Sequence, residues 1–278
     1  MIVFLLFLFC MVVGLVLQKI SSLSLVLLLS VLGTTSVLAN EEINQNPVYK
    51  GEVESINEPI IIRYSPLPKS RTIDTSSFSG KLNGRVLDHK TISRGAIEIF
   101  EEDKSLKMLI SSFTTELINK NKKETINDVK KMTFDISPFG KINDFSLYSP
   151  DLTSEELALT KEAMSNMVEE IIFQLPPSGV ETDHKFKTNL TLGGMAIKDV
   201  GTVLGKTIFN NRQAIVIDYR GPLSSLVINH EKIKGSFDGY SVMDIATGVT
   251  VYTEYYFQAK FSHKSRVYIY NTLKTEFQ

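Results

Sequence analysis

The residues that could do chemistry in this sequence are few and widely scattered. The four histidines are His89, His184, His230 and His263, and no two of them lie within five positions of each other. A compact metal site needs histidines at short, fixed spacing, as in His-Glu-x-x-His on one helix face. The single cysteine, Cys10, excludes an internal disulfide and a multi-thiolate metal site. We therefore predict no metal site and no cofactor.

Of two common enzyme motifs, one is incomplete in this sequence and the other is absent. A nucleotide-binding P-loop reads Gly-x4-Gly-Lys-Ser/Thr, whereas residues 201–207 read Gly-Thr-Val-Leu-Gly-Lys-Thr, one residue short. Alternating apolar residues follow, so this stretch predicts a β-strand with two glycines. The Gly-x-Ser-x-Gly elbow of serine hydrolases does not occur. Paired carboxylates such as Glu155 and Glu156 fall where a helix cap or a solvated surface is expected. The sequence therefore predicts a protein that is not an enzyme.

The first 39 residues have the composition of a targeting segment. Of these, 28 are hydrophobic and none is acidic, in two apolar runs at residues 1–17 and 20–38. Val37 and Ala39 stand at the −3 and −1 positions that a signal peptidase accepts. We expect cleavage after Ala39 and export to the periplasm or the extracellular space. The alternative is a retained membrane anchor formed by residues 1–38.

The charge balance argues against nucleic acid as a partner. The chain has 30 basic and 31 acidic residues, for a formal net charge of −1. Removing the leader would remove only Lys19 among the charged residues, which leaves 29 basic against 31 acidic residues. Nucleic-acid-binding surfaces carry an excess of lysine and arginine, so we expect none here. Membrane association would come through the N-terminal segment if that segment stays uncleaved.

One segment, residues 153–175, has the pattern of a long helix. Thr153 and Glu156 are placed as the two members of a capping box at its start. Apolar residues follow at helical spacing as far as Leu175, and two prolines then end the pattern. The apolar stripe of this predicted helix includes Met164, Met167 and Ile171.

Most of residues 40–278 has the pattern of β-strands in a single domain. The clearest strand spans residues 248–262, where alternate positions are apolar. Other candidate strands are residues 60–64, 96–101, 105–119, 125–137, 141–148, 185–192, 202–209, 213–220 and 226–240. Short turn signals between them indicate antiparallel neighbours. We therefore predict an α+β fold: a long curved antiparallel sheet, or half-open barrel, with one long helix packed on its concave face.

The order of several turn motifs carries a resemblance to known domains. The chain reads Asp-Ile-Ser-Pro-Phe-Gly-Lys at residues 135–141 and Leu-Pro-Pro-Ser-Gly-Val at 175–180, with Gly235, Asp244 and Thr247 before the long aromatic strand. This order resembles a group of uncharacterised secreted bacterial domains and, more loosely, the lipoprotein-carrier (LolA/LppX-like) superfamily. The resemblance covers roughly residues 50–278. It implies a half-open barrel that is covered by helices and holds acyl chains.

These patterns together predict an exported cell-envelope protein that binds or carries a hydrophobic small molecule or lipid between sheet and helix. The candidate lining residues are Met164, Met167, Ile171, Val251, Tyr255, Phe257 and Phe261. The alternative is an envelope interaction or scaffolding protein with a filled core and no ligand. It would bind a protein partner through an exposed strand edge or through the tyrosine face that includes Tyr252 and Tyr256.

Overall fold

The computed structural model describes residues 47–277, with short gaps. The gaps are residues 83–84, 120–121, 151, 156, 159–160, 162–172, 193–194, 229–230 and 263–264. The predicted leader and most of the predicted helix, including Met164, Met167 and Ile171, therefore lie outside the described residues. The side chain of Phe261 lies outside them as well.

The described elements are eleven β-strands in one antiparallel sheet. They are β1 Leu67–Leu82, β2 Arg85–Glu102, β3 Ser105–Asn119, β4 Lys122–Ile136, β5 Ile142–Tyr148, β6 Lys185–Leu192, β7 Met195–Phe209, β8 Arg212–Ile228, β9 Glu231–Asp244, β10 Thr250–Ser262 and β11 Ser265–Glu276. Their order across the sheet is β5-β4-β3-β2-β1-β11-β10-β9-β8-β7-β6. The first and last strands therefore pair at the centre, and the chain between β5 and β6 crosses from one edge to the other.

The prediction of an α+β fold with a long helix was wrong. Every described element is a β-strand, and the fold is almost wholly antiparallel sheet. At the expected capping box, residues 154, 155, 157, 158 and 161 are helical, and the Leu157 N–H donates to the Thr153 carbonyl at 2.9 Å. At the other end, the Leu175 N–H donates to the Phe139 carbonyl, and the Phe173 carbonyl accepts from the Tyr64 hydroxyl. Leu175 thus donates to a distant residue rather than to a carbonyl one turn earlier, and residues 173–176 belong to neither a helix nor a strand. No helix among the described residues is long and apolar enough to span a bilayer.

Two hydrogen bonds show that the sheet is strongly curved. Leu175 is bonded to Phe139, just after β4, and the Asp183 N–H donates to the Val203 carbonyl in β7. The eight chain steps from residue 175 to residue 183 span at most ~28 Å when fully extended. In a flat sheet, the eight strand spacings between β4 and β7 would cover ~38 Å. Residues of both halves also lie in one buried core cluster, so the sheet bends and its two halves approach each other.

Residues 47–66 join the two halves at one end of the sheet. Glu54 and Lys206 of β7 exchange two backbone hydrogen bonds of 2.8 Å each. Ten residues later, the Tyr64 N–H donates to the Pro138 carbonyl, in the turn between β4 and β5, at 2.7 Å. We call this end of the sheet the closed end.

The main apolar core fills the closed end on one side of the sheet, which we call the inner face. Residues directly opposite each other in an antiparallel pair share a face. The inner face carries Ile97, Ile110 and Met132 on one half of the sheet and Val203 and Ile217 on the other. All five side chains are buried in a single cluster. The two halves of the sheet thus share one core.

Candidate functional site

The inner face changes from apolar to polar across the four central strands. One row of paired residues runs from Asp74 through Leu273, Thr253 and Ser241 to Ile217. The buried polar residues on this face of β1, β11, β10 and β9 are Ser70, Thr72, Asp74, Ser76, Ser241, Thr253, Asn271 and Thr275. We call these eight residues the polar band. A polar patch inside a curved sheet costs free energy unless its groups are hydrogen-bonded.

The centre of the polar band is a three-residue contact between the first and last strands. The Asn271 side-chain amide donates to Asp74 Oδ1 at 2.7 Å and to Ser76 Oγ at 2.6 Å. All three side chains are buried, and Asn271 is fully so. We call Asp74, Ser76 and Asn271 the central triad.

The pKa of the Asp74 carboxyl is unusually high for an aspartate. Burial raises its pKa to about 7, and the hydrogen bond from Asn271 opposes part of that rise. A carboxyl removed from water favours its neutral form because the charged form loses hydration. Asp74 therefore keeps its proton to a much higher pH than an exposed aspartate does.

One acceptor in the central triad is left without a hydrogen bond. Asn271 Oδ1 is buried and has no hydrogen-bond partner among the described residues, although both bonds from the amide nitrogen are made. A buried, unpaired acceptor carries a penalty of about 1–3 kcal/mol. A donor arriving from a bound molecule would remove that penalty.

Several other members of the polar band are satisfied within the protein. Ser241 and Thr253 share a hydrogen bond of 2.8 Å across β9 and β10. The Thr275 hydroxyl donates to the Thr250 carbonyl at 3.0 Å, and the Ser70 hydroxyl donates to the Pro68 carbonyl at 2.8 Å. These contacts stabilise the sheet itself. The open hydrogen-bonding capacity lies in the central triad.

A small apolar cluster lies next to the central triad on the inner face. Tyr255 and Leu273 are buried together, and Phe257 packs against them. Tyr255 is paired directly with Asn271 across β10 and β11. Burial raises the pKa of the Tyr255 phenol well above its ordinary value, and the negative charge of Asp74 raises it further. Polar and apolar groups therefore meet at this point of the inner face.

The predicted lining residues are divided between the two faces. Tyr255 and Phe257 lie together on the inner face, as the alternation predicts. Val251 packs in another cluster, with Val242 and Tyr240 on the outer face. The reason is a β-bulge between Thr250 and Tyr252, which interrupts the alternation of β10.

The outer face carries a group of tyrosines around one carboxylate. The Tyr240 hydroxyl donates to Glu254 Oε2 at 2.8 Å, and the Tyr270 hydroxyl donates to Oε1 at 2.9 Å. The Tyr252 hydroxyl makes a longer bond of 3.4 Å to Oε2. Burial raises the pKa of Tyr240 and of Tyr270, and the Glu254 carboxylate raises both further.

This tyrosine group is largely engaged within the protein. Tyr256 is buried and stacks on Tyr268 with ring centroids 6.2 Å apart. Tyr240 also packs edge-on against Tyr49 at 5.5 Å. The predicted tyrosine face is therefore mainly a packed layer of the protein rather than an exposed surface.

The histidines do not assemble a metal site in the part of the chain that the structure describes. There, no three His, Cys, Asp or Glu side chains come together as ligands. His184 packs edge-on against Phe186 at 4.8 Å. Burial lowers the pKa of His89, which favours its neutral form. His230 and His263 lie outside the described residues.

Sequence reasoning missed Asp74, Ser76 and Asn271 entirely. None of them belongs to a recognisable motif, and Asp74 and Asn271 lie 197 positions apart. The available signal was weak: an isolated acidic residue among serines and threonines in the stretch that forms β1.

Comparisons with known proteins give distant structural similarities only. No family model matches the sequence, so the resemblance to the lipoprotein-carrier superfamily has no support from that source, and no curated protein matches either. The structure is similar to a solved structure that describes lipid–protein interactions in lipovitellin. The sequence identity is 11% and the TM-score is 0.44, over 77% of this chain. The chain spans only 25% of that lipovitellin chain. It is also similar to a DUF1329 family protein from Desulfovibrio piger, at 11% identity and a TM-score of 0.23, over 75% of this chain and 85% of that one.

Proposed function

We propose that this protein binds an apolar, lipid-like molecule against the inner face of its sheet. The observation that carries the proposal is the cluster of Tyr255, Leu273 and Phe257 beside the polar band. An apolar patch with a few convergent polar groups is the usual composition of a small-molecule site.

The position of this cluster supports the proposal. Tyr255 pairs with Asn271, and Asn271 pairs with Ser76 of β1. Ser70, six residues earlier in β1, pairs with Ile97 of the main core. At ~3.3 Å per residue, the cluster lies ~20 Å farther along the strands than that part of the core. The long strands therefore extend an inner face well beyond the closed end. A lipid chain laid along them would contact apolar side chains at both levels.

We further propose that the protein acts outside the cytosol, by binding rather than by catalysis. The apolar segment at residues 1–39 supports export, with either cleavage after Ala39 or retention as an anchor. A carrier of apolar molecules is useful in an aqueous compartment between membranes, because free lipids are poorly soluble there.

The experiment is to extract and identify lipids that copurify with the protein, by native mass spectrometry and by organic extraction. Phe257→Gln places a polar amide in the apolar cluster of the inner face. Tyr268→Gln makes a comparable change in an aromatic residue of β11 that faces the opposite side, paired with Gln258. We expect bound lipid in the wild type and in Tyr268→Gln, and its loss in Phe257→Gln. Ligand-free wild-type protein after repeated preparations would refute the proposal.

The scaffolding alternative is less well supported by the described residues. Of its two possible surfaces, the exposed strand edge stays a prediction. On the other, the tyrosine face, Tyr256 is buried, and Tyr240 and Tyr270 are bonded to Glu254. Binding to a partner through these residues would require those hydrogen bonds to break.

A further inference from the structure

We propose that the central triad holds the polar end of the ligand and that this end is an uncharged hydroxyl group. This inference rests on the proposed function and adds the chemical class of the ligand: a long-chain alcohol or another neutral lipid that carries a free hydroxyl. Its starting point is the convergence of Asp74, Ser76 and Asn271 on the inner face.

The central triad contains one unpaired acceptor. Asn271 Oδ1 is fully buried and has no hydrogen-bond partner in the part of the chain that the structure describes. Both donor bonds of the Asn271 amide nitrogen are fixed by Asp74 and Ser76, which sets the orientation of the oxygen. The site therefore offers an acceptor and favours a ligand that donates a hydrogen bond.

Charge also restricts the class of ligand. A fatty-acid carboxylate or a phosphate would bring negative charge and further acceptors towards Asp74 and Asn271 Oδ1. No lysine or arginine belongs to the polar band to neutralise them. Two like charges in a buried site repel strongly because little water is present to screen them. The central triad therefore disfavours anionic lipids.

The central triad and the neighbouring apolar cluster suit the two ends of one ligand. A hydroxyl can donate a hydrogen bond to Asn271 Oδ1 and can also accept one from the neutral form of Asp74, whose pKa burial raises. Tyr255, Phe257 and Leu273 lie beside the triad and offer an apolar surface for the adjoining chain. The polar and apolar surfaces together match a molecule with one small polar end.

The test expresses the full chain, purifies the protein and compares its affinity for three ligands of equal alkyl chain length. They are 1-dodecanol, its methyl ether 1-methoxydodecane and dodecanoate, each used to displace the apolar fluorophore diphenylhexatriene. We expect 1-dodecanol to bind about five- to tenfold more tightly than the methyl ether, as one buried hydrogen bond implies. Dodecanoate should bind more weakly than 1-dodecanol at neutral pH. Equal affinity for the alcohol and the ether, or tighter binding of dodecanoate, would overturn the inference.

Variants test the residues themselves. Asn271→Leu keeps a similar volume and removes the acceptor, so the preference for 1-dodecanol over the ether should disappear while diphenylhexatriene still binds. Tyr268→Phe removes a hydroxyl from the opposite face of β11, where Tyr268 is paired with Gln258, and should leave the preference intact. An unchanged preference in a folded Asn271→Leu would also overturn the inference. If the wild type binds none of the four molecules, the proposed function itself is refuted. If Asn271→Leu does not fold, the comparison of the three ligands on the wild type still tests the preference for a hydroxyl group.

Discussion

Asn271 of β11 donates a hydrogen bond of 2.7 Å to the carboxyl of Asp74 in β1, 197 positions earlier in the chain. The bond joins the first and last strands, which pair at the centre of the sheet. It can form only when the two halves of the chain have come together. The central triad is therefore both a product of the complete fold and the centre of the candidate site.

The first prediction concerns the pH dependence of stability. The pKa of Asp74 is raised from 3.8 to about 7 by burial, so the folded protein keeps a proton that the unfolded chain releases at lower pH. The free energy of unfolding should therefore be highest below about pH 4 for this group and should fall as the pH rises towards 7. The loss from this group amounts to roughly 4 kcal/mol.

Asp74→Asn removes this titration and provides the comparison. Urea unfolding at several pH values should show that the difference in stability between variant and wild type changes steadily between about pH 4 and pH 7. Taking the difference isolates Asp74 from His89, whose lowered pKa acts in the opposite direction. A difference that does not vary with pH would contradict the assignment.

The second prediction concerns the turn between β9 and β10. Arg212 Nε and Nη2 donate to the two carboxylate oxygens of Asp244 at 2.8 and 2.9 Å, and the Thr247 N–H and hydroxyl donate to Asp244 Oδ2. Asp244→Asn should cost about 2–4 kcal/mol, because a buried, multiply bonded carboxylate is replaced by a poorer acceptor. The matched control is Asp218→Asn, which breaks a bond to the largely exposed Arg220 and should cost less than about 1 kcal/mol. Chemical denaturation measures both, and equal losses would count against this role.

The third prediction tests the closed end. Gly205 has φ of +149°, and an added Cβ would lie 2.3 Å from the Glu54 carbonyl oxygen. Gly205→Ala should therefore push residues 47–66 away from β7, at a cost of about 2–4 kcal/mol. Lys206→Ala removes only an exposed ion pair with Glu54 and should change the stability by less than about 1 kcal/mol. Limited proteolysis should cleave residues 47–66 faster in Gly205→Ala. Unchanged cleavage would argue against the docking of this segment on β7.

The fourth prediction concerns the tyrosines around Glu254. Tyr240→Phe and Tyr270→Phe each remove a hydrogen bond of 2.9 Å or less to a carboxylate and should destabilise the protein by about 1–2 kcal/mol. Tyr252→Phe removes a bond of 3.4 Å and should cost clearly less. Thermal unfolding would order the three variants, and a larger loss for Tyr252→Phe would contradict the geometry.

Strands with strict alternation could be predicted from the sequence. Residues 248–262 were predicted as a strand and form β10 at Thr250–Ser262, and residues 185–192 form β6 as expected. The P-loop-like stretch at 201–207 lies inside β7, as predicted. Alternating apolar residues and clear turn signals provided the evidence in these cases.

The strand that carries much of the candidate site could not be predicted. β1 has serine, threonine and aspartate at positions 70, 72, 74 and 76 of its inner face, so its sequence lacks the alternation of apolar and polar residues that identifies a strand. Its pairing with β11 depends on contacts between the ends of the chain, which have no local signature. The bulge that moves Val251 to the outer face was equally invisible, because β10 contains no glycine or proline there.

An apolar ligand on the inner face of the sheet can be located by photo-crosslinking with a dodecanol analogue that carries a diazirine on its chain, followed by peptide mass spectrometry. We expect adducts on the peptides of β10 and β11, at Tyr255, Phe257 or Leu273, and we expect excess 1-dodecanol to suppress them. Adducts confined to outer-face residues such as Tyr252 and Tyr268, or labelling that excess 1-dodecanol does not reduce, would contradict it.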